Sequence, residues 1–232
     1  MNTTIKSTAI AMAVAGLFAA QPAVADTLHF NGLTYGFSNT ALITAIAPAI
    51  SENVYAGGFT MNNVTAPSGT FQAWCVSIYE AMDQSAAGVS YTLKTGALFY
   101  SADTGKADAL SHLASNWLAT ANTSATNNAA FQLAIWEIVN ETSGSGYSLA
   151  GGNFKSTSAS AGVITEASLM LGNLSGTLTY TTNIWAQNTA HTTQDLAVFA
   201  PVPEPGTYAM MLSGLGLMGF VARRRKQEQE YA

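Results

Sequence analysis

The sequence contains one cysteine, Cys75, in 232 residues. A single cysteine excludes an internal disulfide and a cysteine-rich zinc site. The chain also has only three histidines, and no spacing of His, Asp and Glu approaches a set of metal ligands. We therefore expect neither a metal nor a cofactor, and Cys75 requires another explanation.

Basic residues are almost as scarce. Residues 26–200 contain three lysines, Lys94, Lys106 and Lys155, against ten acidic residues, which gives a formal net charge of −7. Because binding to a nucleic acid needs a basic patch, this composition excludes a nucleic-acid partner. Serine, threonine, asparagine and glycine occupy the polar positions instead, as is common in exported proteins.

The N-terminal residues 1–25 have the pattern of a secretory signal peptide. Lys6 and the amino terminus are positively charged, residues 9–20 form a short apolar run, and Ala23-Val24-Ala25 is a small-residue cleavage site before Asp26. The run is too short, and its flanks are wrong, for a buried N-terminal helix. We expect residues 1–25 to be removed on export.

The C-terminal residues 201–232 have three parts in a fixed order. A Val202-Pro203-Glu204-Pro205 motif is followed by an apolar run over residues 207–222 and by a basic cluster. That cluster comprises Arg223, Arg224, Arg225 and Lys226. The run is shorter than the ~20 residues that span a bilayer comfortably. Even so, a basic cluster directly after it is typical of a cytoplasmic membrane stop, so we predict a single transmembrane helix here.

This tail resembles the PEP-CTERM sorting tail of exported proteins in Gram-negative bacteria. The motif, its spacing and its terminal position all agree. The resemblance implies transient anchoring in the inner membrane and processing near Pro-Glu-Pro by an exosortase-type peptidase. It further implies release to the cell surface or the extracellular matrix.

The remaining residues 26–200 are enough for one globular domain. Alternating patterns predict strands over 28–37, 53–60 and 70–79, and a hairpin of 176–185 with 192–199. Helical patterns lie between them: a short helix over 93–101, one capped by Asp103 or Thr104, one capped by Asn127 or Asn128, and one over 165–172. Strands, then helices, then strands predict an α+β fold with the helices grouped together.

Two residues of this domain carry its chemistry. Cys75 lies on a predicted strand whose two faces are both apolar, so we expect that strand to be central and buried. Gln132 lies on a helix with an apolar stripe of Phe131, Ala134, Ile135 and Ile138, and Trp136 follows it at i+4. A thiol can attack a glutamine carboxamide, expel ammonia and leave a thioester, provided that water is excluded.

The neighbours of the pair supply the remaining requirements of this reaction. Trp74 and Trp136 can cover the bond with apolar area and limit its hydrolysis. Glu137 or Glu80 can donate the proton to the leaving nitrogen, and the sequence does not choose between them. An amine can then displace the thiol and form an amide, a reaction that occurs once and does not turn over.

The pair resembles the thioester domains of bacterial surface adhesins, which have a cysteine after an apolar or aromatic residue and, later, a hydrophobic-Gln-x-x-hydrophobic-Trp motif on a helix. Trp74-Cys75-Val76 and the segment 131–136 match these motifs in the same order. The resemblance implies a β-rich barrel or sandwich core with a helical insertion. It also implies covalent attachment to an amine-bearing surface or matrix polymer, and no enzymatic turnover.

Two other functions remain open. A cysteine hydrolase would pair Cys75 with one of His29, His112 and His191, although no protease signature surrounds the cysteine. A non-catalytic matrix or carbohydrate-binding domain would use exposed tyrosine and tryptophan side chains for stacking. Cys75 and Gln132 would then be ordinary packed residues of the core.

Overall fold

A computed structural model describes residues 25–65, 68–85, 87–188, 193–202, 206 and 210–219. Six strands form a closed antiparallel barrel in the order β1-β4-β5-β9-β8-β6. Their bounds are β1 Asp26–Leu33, β4 Phe59–Asn63, β5 Gly69–Cys75, β6 Val89–Thr95, β8 Tyr180–Gln187 and β9 Leu196–Pro201. Three further strands, β2 Thr40–Ala45, β3 Ile50–Tyr55 and β7 Phe154–Ala159, form a separate antiparallel sheet in the order β3-β2-β7.

The helices lie together between β6 and β8 along the chain. They are α1 Gly96–Phe99, α2 Gly105–Ala121, α3 Ala125–Asn140 and α4 Val163–Leu171. The sequence-based prediction of an α+β fold with a β-rich barrel or sandwich core and a grouped helical insertion is therefore confirmed, and of the two cores it is the barrel that is present. The predicted hairpin near the end of the domain is also present, since β8 and β9 pair from Tyr180↔Pro201 to Trp185↔Leu196.

Several predicted strands have different bounds. The strand predicted over 53–60 is two strands, because β3 ends at Tyr55 and β4 begins at Phe59. Strand pairing is interrupted between β3 and β4, because the amide of Gly58 donates to the side chain of Asn128 instead of to a neighbouring strand. The strand predicted over 70–79 ends at Cys75, and only the bond from Val76 N to Asp195 O continues its pairing. The strand predicted over 28–37 runs from Asp26 to Leu33.

The helical predictions differ mainly at the helix ends. Of the helix predicted over 93–101, only α1 is helical, since residues up to Thr95 belong to β6. Ser124, and neither Asn127 nor Asn128, caps α3, because its side chain accepts from Asn127 N. Helix α4 begins after Gly162, whose φ of 82° suits glycine, and so starts before the predicted Thr165.

Helix α3 occupies the centre of the molecule. Every residue from Asn128 to Ile138 is buried, so the single apolar stripe predicted for this helix understates its burial. Such a helix needs neighbours on all sides, and α2, α4, β5 and β7 provide them. The polar side chains of α3 are therefore buried as well, and each of them needs a hydrogen-bond partner inside the protein.

Candidate functional site

Strand β5 reaches Cys75 with only one neighbouring strand. On one side Cys75 pairs with Leu196 of β9. On the other side β4 begins at Phe59, which pairs with Ala73, and does not extend to Cys75. Because Val76 N donates to Asp195 O on the β9 side, the N–H and C=O of Cys75 face the unoccupied edge.

The side chain of Gln132 occupies this edge. Its Oε1 accepts a hydrogen bond from Cys75 N at 3.1 Å, and its Nε2 donates to Cys75 O at 2.8 Å. Cys75 is 0% and Gln132 1% exposed, so both hydrogen bonds are shielded from water. The carboxamide thus pairs with the main chain of Cys75 as a neighbouring strand would, and the two predicted residues are in direct contact.

A second buried amide lies one helical turn earlier. Asn128 Oδ1 accepts from Gly58 N at 2.6 Å, and its Nδ2 donates to Ala121 O at 3.3 Å. Asn128 therefore holds α3 against the gap between β3 and β4, next to Gln132. Sequence reasoning treated Asn128 only as a possible cap. The signal that would have found it is the i, i+4 spacing of two amides on a largely apolar helix.

The thiol of Cys75 is held in its neutral form. Its Sγ donates to Ser77 O at 2.6 Å. The pKa of the thiol is raised to about 12, chiefly by burial, whereas the indole of Trp136 and the backbone of Ser77 lower it. The charges of Glu80 and Asp195 contribute smaller increases to this value. A free thiol with this pKa is almost entirely protonated at neutral pH.

The two tryptophans cover the pair from different sides. Trp74 is 2% exposed, and its ring packs on Phe131 at 5.1 Å and on Phe199 at 5.5 Å. Successive strand residues point to opposite faces, so this aromatic cluster lies on the face opposite the Cys75 side chain. The indole of Trp136 lowers the pKa of the Cys75 thiol, and its buried Nε1 makes no hydrogen bond of normal geometry.

The two predicted proton donors occupy different surroundings. Glu137 is fully buried and accepts from Ser148 N through Oε1 at 2.7 Å, while its Oε2 has no hydrogen-bond partner. The pKa of its carboxyl is raised to about 7, chiefly by burial, with a lowering contribution from the Ser148 hydrogen bond and a smaller increase from the charge of Glu141. Of the two, only Glu80 is among the charges that act on the Cys75 thiol.

A cleft of about 310 Å3 adjoins the pair. Its walls come from β3, from the segment that follows β5, and from Trp136 of α3. Ser77 and Glu80 also line it, and the carbonyl oxygen of Ser77 accepts the hydrogen bond from the thiol. The cleft gives a solute access to the residues that surround the sulfur.

The two described histidines of the hydrolase interpretation, His29 and His112, are not among the groups at the thiol. His29 lies on β1 beside Gly88, and His112 lies on α2 with its buried Nδ1 lacking a partner. Neither is among the groups that shift the pKa of Cys75, and His191 lies outside the described residues. Within the described part of the chain, no group of three or more His, Cys, Asp and Glu side chains is placed to hold a metal ion.

The structure describes only part of the predicted tail. Val202 N donates to Thr179 O at 2.8 Å, directly after the last barrel strand. The predicted residues Pro203, Glu204, Pro205, Arg223, Arg224, Arg225 and Lys226 lie outside the described residues, as do residues 1–24 of the predicted signal peptide. Residues 210–219 are helical and exposed, and no helix among the described residues is long and apolar enough to cross a membrane.

Comparison with known proteins gives one match in sequence and two in structure. Residues 201–226 match the PEP-CTERM protein-sorting motif. This motif implies export, a transient membrane anchor and processing by an exosortase-type system. No curated protein matches the chain.

Both structural matches are to the N-terminal thioester domain of a surface protein from Clostridium perfringens. The first has 12% identity and a TM-score of 0.43, and it covers 62% of this chain and 89% of that one. The second is a variant with a cysteine replaced by alanine; it has the same identity and coverage and a TM-score of 0.42.

Proposed function

We propose that Cys75 and Gln132 form an internal thioester, through which this exported protein attaches covalently to an amine on a cell surface or in an extracellular matrix. In the forming step, Sγ bonds to Cδ of Gln132 and the bond from Cδ to Nε2 breaks. The thiol proton leaves with the nitrogen as ammonia. The reaction therefore needs no oxidant, metal or second substrate.

The observation that carries this proposal is the two-point pairing of the Gln132 carboxamide with the main chain of Cys75. Attack at Cδ places negative charge on Oε1, which already accepts from Cys75 N. A backbone N–H aimed at a developing oxyanion in a dry site is a strong source of stabilisation. The same pairing fixes the amide beside the residue that carries the nucleophile.

The surroundings of the sulfur support the same chemistry. Attack requires the thiol to lose its proton. Burial opposes this loss, whereas the indole of Trp136 favours it by lowering the pKa of the thiol. The unpartnered indole N–H of Trp136 is a donor available to a sulfur that gains negative charge. Once the thioester has formed, no ionisable thiol remains to be buried, so the desolvation cost disappears.

The second step uses the stored electrophile. A neutral primary amine attacks Cδ, the bond from Cδ to Sγ breaks, and a proton passes from the nitrogen to the sulfur. The products are an amide at Gln132 and the free thiol of Cys75. Each molecule reacts once, so the protein is an adhesin-like reagent and not an enzyme.

Intact mass of the purified domain tests the proposal. We expect the wild type to be lighter than its sequence mass by one ammonia and to gain one methylamine on incubation with that amine. Cys75→Ala should have its full sequence mass and show no methylamine adduct. Gln132→Glu keeps an acceptor for Cys75 N, and it should also have its full mass.

A wild-type domain of full mass would overturn the proposal. In that case Gln132 would serve only to complete the hydrogen bonding of β5, and a matrix-binding role without covalent chemistry would take its place. A thiol that reacts readily in the native wild type would equally contradict the thioester, because the bond leaves no thiol to titrate.

A further inference from the structure

The cleft beside Trp136 has walls of two kinds. Apolar side chains of the small sheet and of β4 line it: Ile43, Ile50, Val54 and Phe59. Polar groups line it as well, and several of them are hydrogen-bond acceptors. Glu52 and Glu80 bring carboxylates, and Gln194 brings a buried Oε1 that has no hydrogen-bond partner.

Positive charge is absent from this lining. None of the described residues that line the cleft is a lysine, arginine or histidine. An unsatisfied buried acceptor costs free energy until a donor reaches it. Two carboxylates and a free amide oxygen therefore favour a solute that is cationic and rich in N–H donors, while the apolar wall favours a methylene chain.

The cleft also connects these groups to the reactive pair. Ser77 and Trp136 line it, and both lower the pKa of the Cys75 thiol. The charge of Glu80 raises the pKa of the same thiol. A solute held in the cleft is thus next to the residues that surround the sulfur, and Glu52 on β3 is an exposed carboxylate of the same lining.

We propose that Glu52 and Glu80 make the cleft selective for primary amines on an aliphatic chain, such as the side-chain ammonium group of a lysine in a partner protein. This inference rests on the proposed thioester. The carboxylates concentrate the ammonium form, and Glu80 accepts one proton from it. The neutral amine then attacks Cδ of Gln132, and its second proton passes to the departing sulfur.

Rates of adduct formation with two probes test the selectivity. Cadaverine is an aliphatic diammonium probe, and hydroxylamine is a small nucleophile that is largely neutral near pH 7.5. We expect Glu52→Gln and Glu80→Gln each to slow cadaverine addition about tenfold, the size of effect given by losing one close charge interaction. Hydroxylamine addition should change less than about twofold.

Asp108→Asn is the charge-matched control, because Asp108 is exposed on α2 and does not line the cleft. It should leave both rates unchanged. Raised salt should slow cadaverine addition to the wild type but not to the double variant of Glu52 and Glu80. Equal slowing of both probes, or no slowing of cadaverine, would overturn the inference.

Intact mass separates this inference from the proposed function. Glu52→Gln and Asp108→Asn should each lack one ammonia before the probe is added, and the rates for Glu80→Gln are measured on the fraction of that variant that lacks it. A wild type of full mass would refute the thioester itself. The cleft is then tested in Cys75→Ala, by following the indole N–H resonance of Trp136 by NMR as cadaverine is added. A shift that Glu52→Gln abolishes supports the inference, and an unchanged resonance refutes it.

Discussion

At the scale of single residues, Gln132 performs the hydrogen bonding of a strand residue. Its carboxamide has the donor and acceptor of a peptide group, and both meet the main chain of Cys75. Each such buried bond contributes about 1 kcal/mol, and leaving the group unpaired costs about 1–3 kcal/mol. This need for a partner fixes the position of the amide whether or not it reacts.

Glu137 is the neighbour whose ionisation the fold opposes. Its pKa of about 7 lies above the ordinary 4.5, so between these values the folded protein binds more protons than the unfolded chain. The contribution of Glu137 to stability should therefore be greatest below pH 4.5 and fall as the pH rises to 7. A shift of this size corresponds to up to about 3 kcal/mol.

Glu137→Gln should remove this part of the pH dependence. The substituted amide keeps an acceptor for Ser148 N and carries no charge, so the variant should gain stability relative to the wild type as the pH rises from 4.5 to 7. Urea unfolding at several pH values measures the difference. Parallel stability curves for the two proteins would contradict the raised pKa.

At the scale of elements, the site depends on where β4 begins. Gly58 N donates to Asn128, and this departure from the ladder leaves the edge of β5 open for Gln132. A Cβ at Gly58 would lie 2.9 Å from Trp74 Nε1 and 3.0 Å from Gln72 Nε2. Glycine is therefore required at Gly58, directly before β4 enters the barrel.

Gly58→Ala should destabilise the domain by about 1–3 kcal/mol, because the added methyl group displaces the Trp74 ring from its packed position. Gly69→Ala on β5 is the matched control, since a Cβ there meets nothing within 4 Å. Its effect should be neutral or stabilising by about 0.5–1 kcal/mol. Urea denaturation compares the two, and equal stabilities would contradict the crowding at Gly58.

The predicted and observed elements together show how much of the fold and of the site the sequence could predict. Cys75 and Gln132 were identifiable because one is the only cysteine and the other lies at a distinctive spacing from Trp136. Local patterns further predicted the helical middle and the final hairpin. The i, i+4 spacing from Asn128 to Gln132 could have shown a second buried amide on α3, but not its partner Gly58. Glu52 was not identifiable, because its role depends on where β3 lies relative to β5, which no local periodicity records.

At the scale of the whole molecule, the sorting tail begins where the barrel ends. Pro201 pairs with Tyr180, and the next residue, Val202, still donates to Thr179 O. The PEP-CTERM match starts at residue 201, so the motif and the last strand overlap. A peptidase that cuts near Pro-Glu-Pro must therefore act within a few residues of the folded domain.

In a host with an exosortase-type system, we expect the mature chain to start at Asp26 and to end near residues 203–205. Glu204→Ala should retain the tail and stay with the membrane fraction, because the motif that directs processing is altered. Glu228→Ala removes the same charge outside the matched residues 201–226 and should be processed normally. Intact mass and fractionation measure both, and a shortened Glu204→Ala chain in the medium would contradict this role of the motif.

The position of β9 in the chain has a consequence for timing. Residues 26–187 contain both Cys75 and Gln132, yet the strand that flanks Trp74 and Cys75 on their other side comes last. During synthesis, this side of β5 stays bare until residues 196–201 have emerged, and Phe199 arrives with them to complete the aromatic cluster. The edge of β5 beside Cys75, and the aromatic cluster on the opposite face, are therefore completed only when residues 196–201 have been made, so a prematurely terminated chain would carry both reacting residues beside an open strand edge.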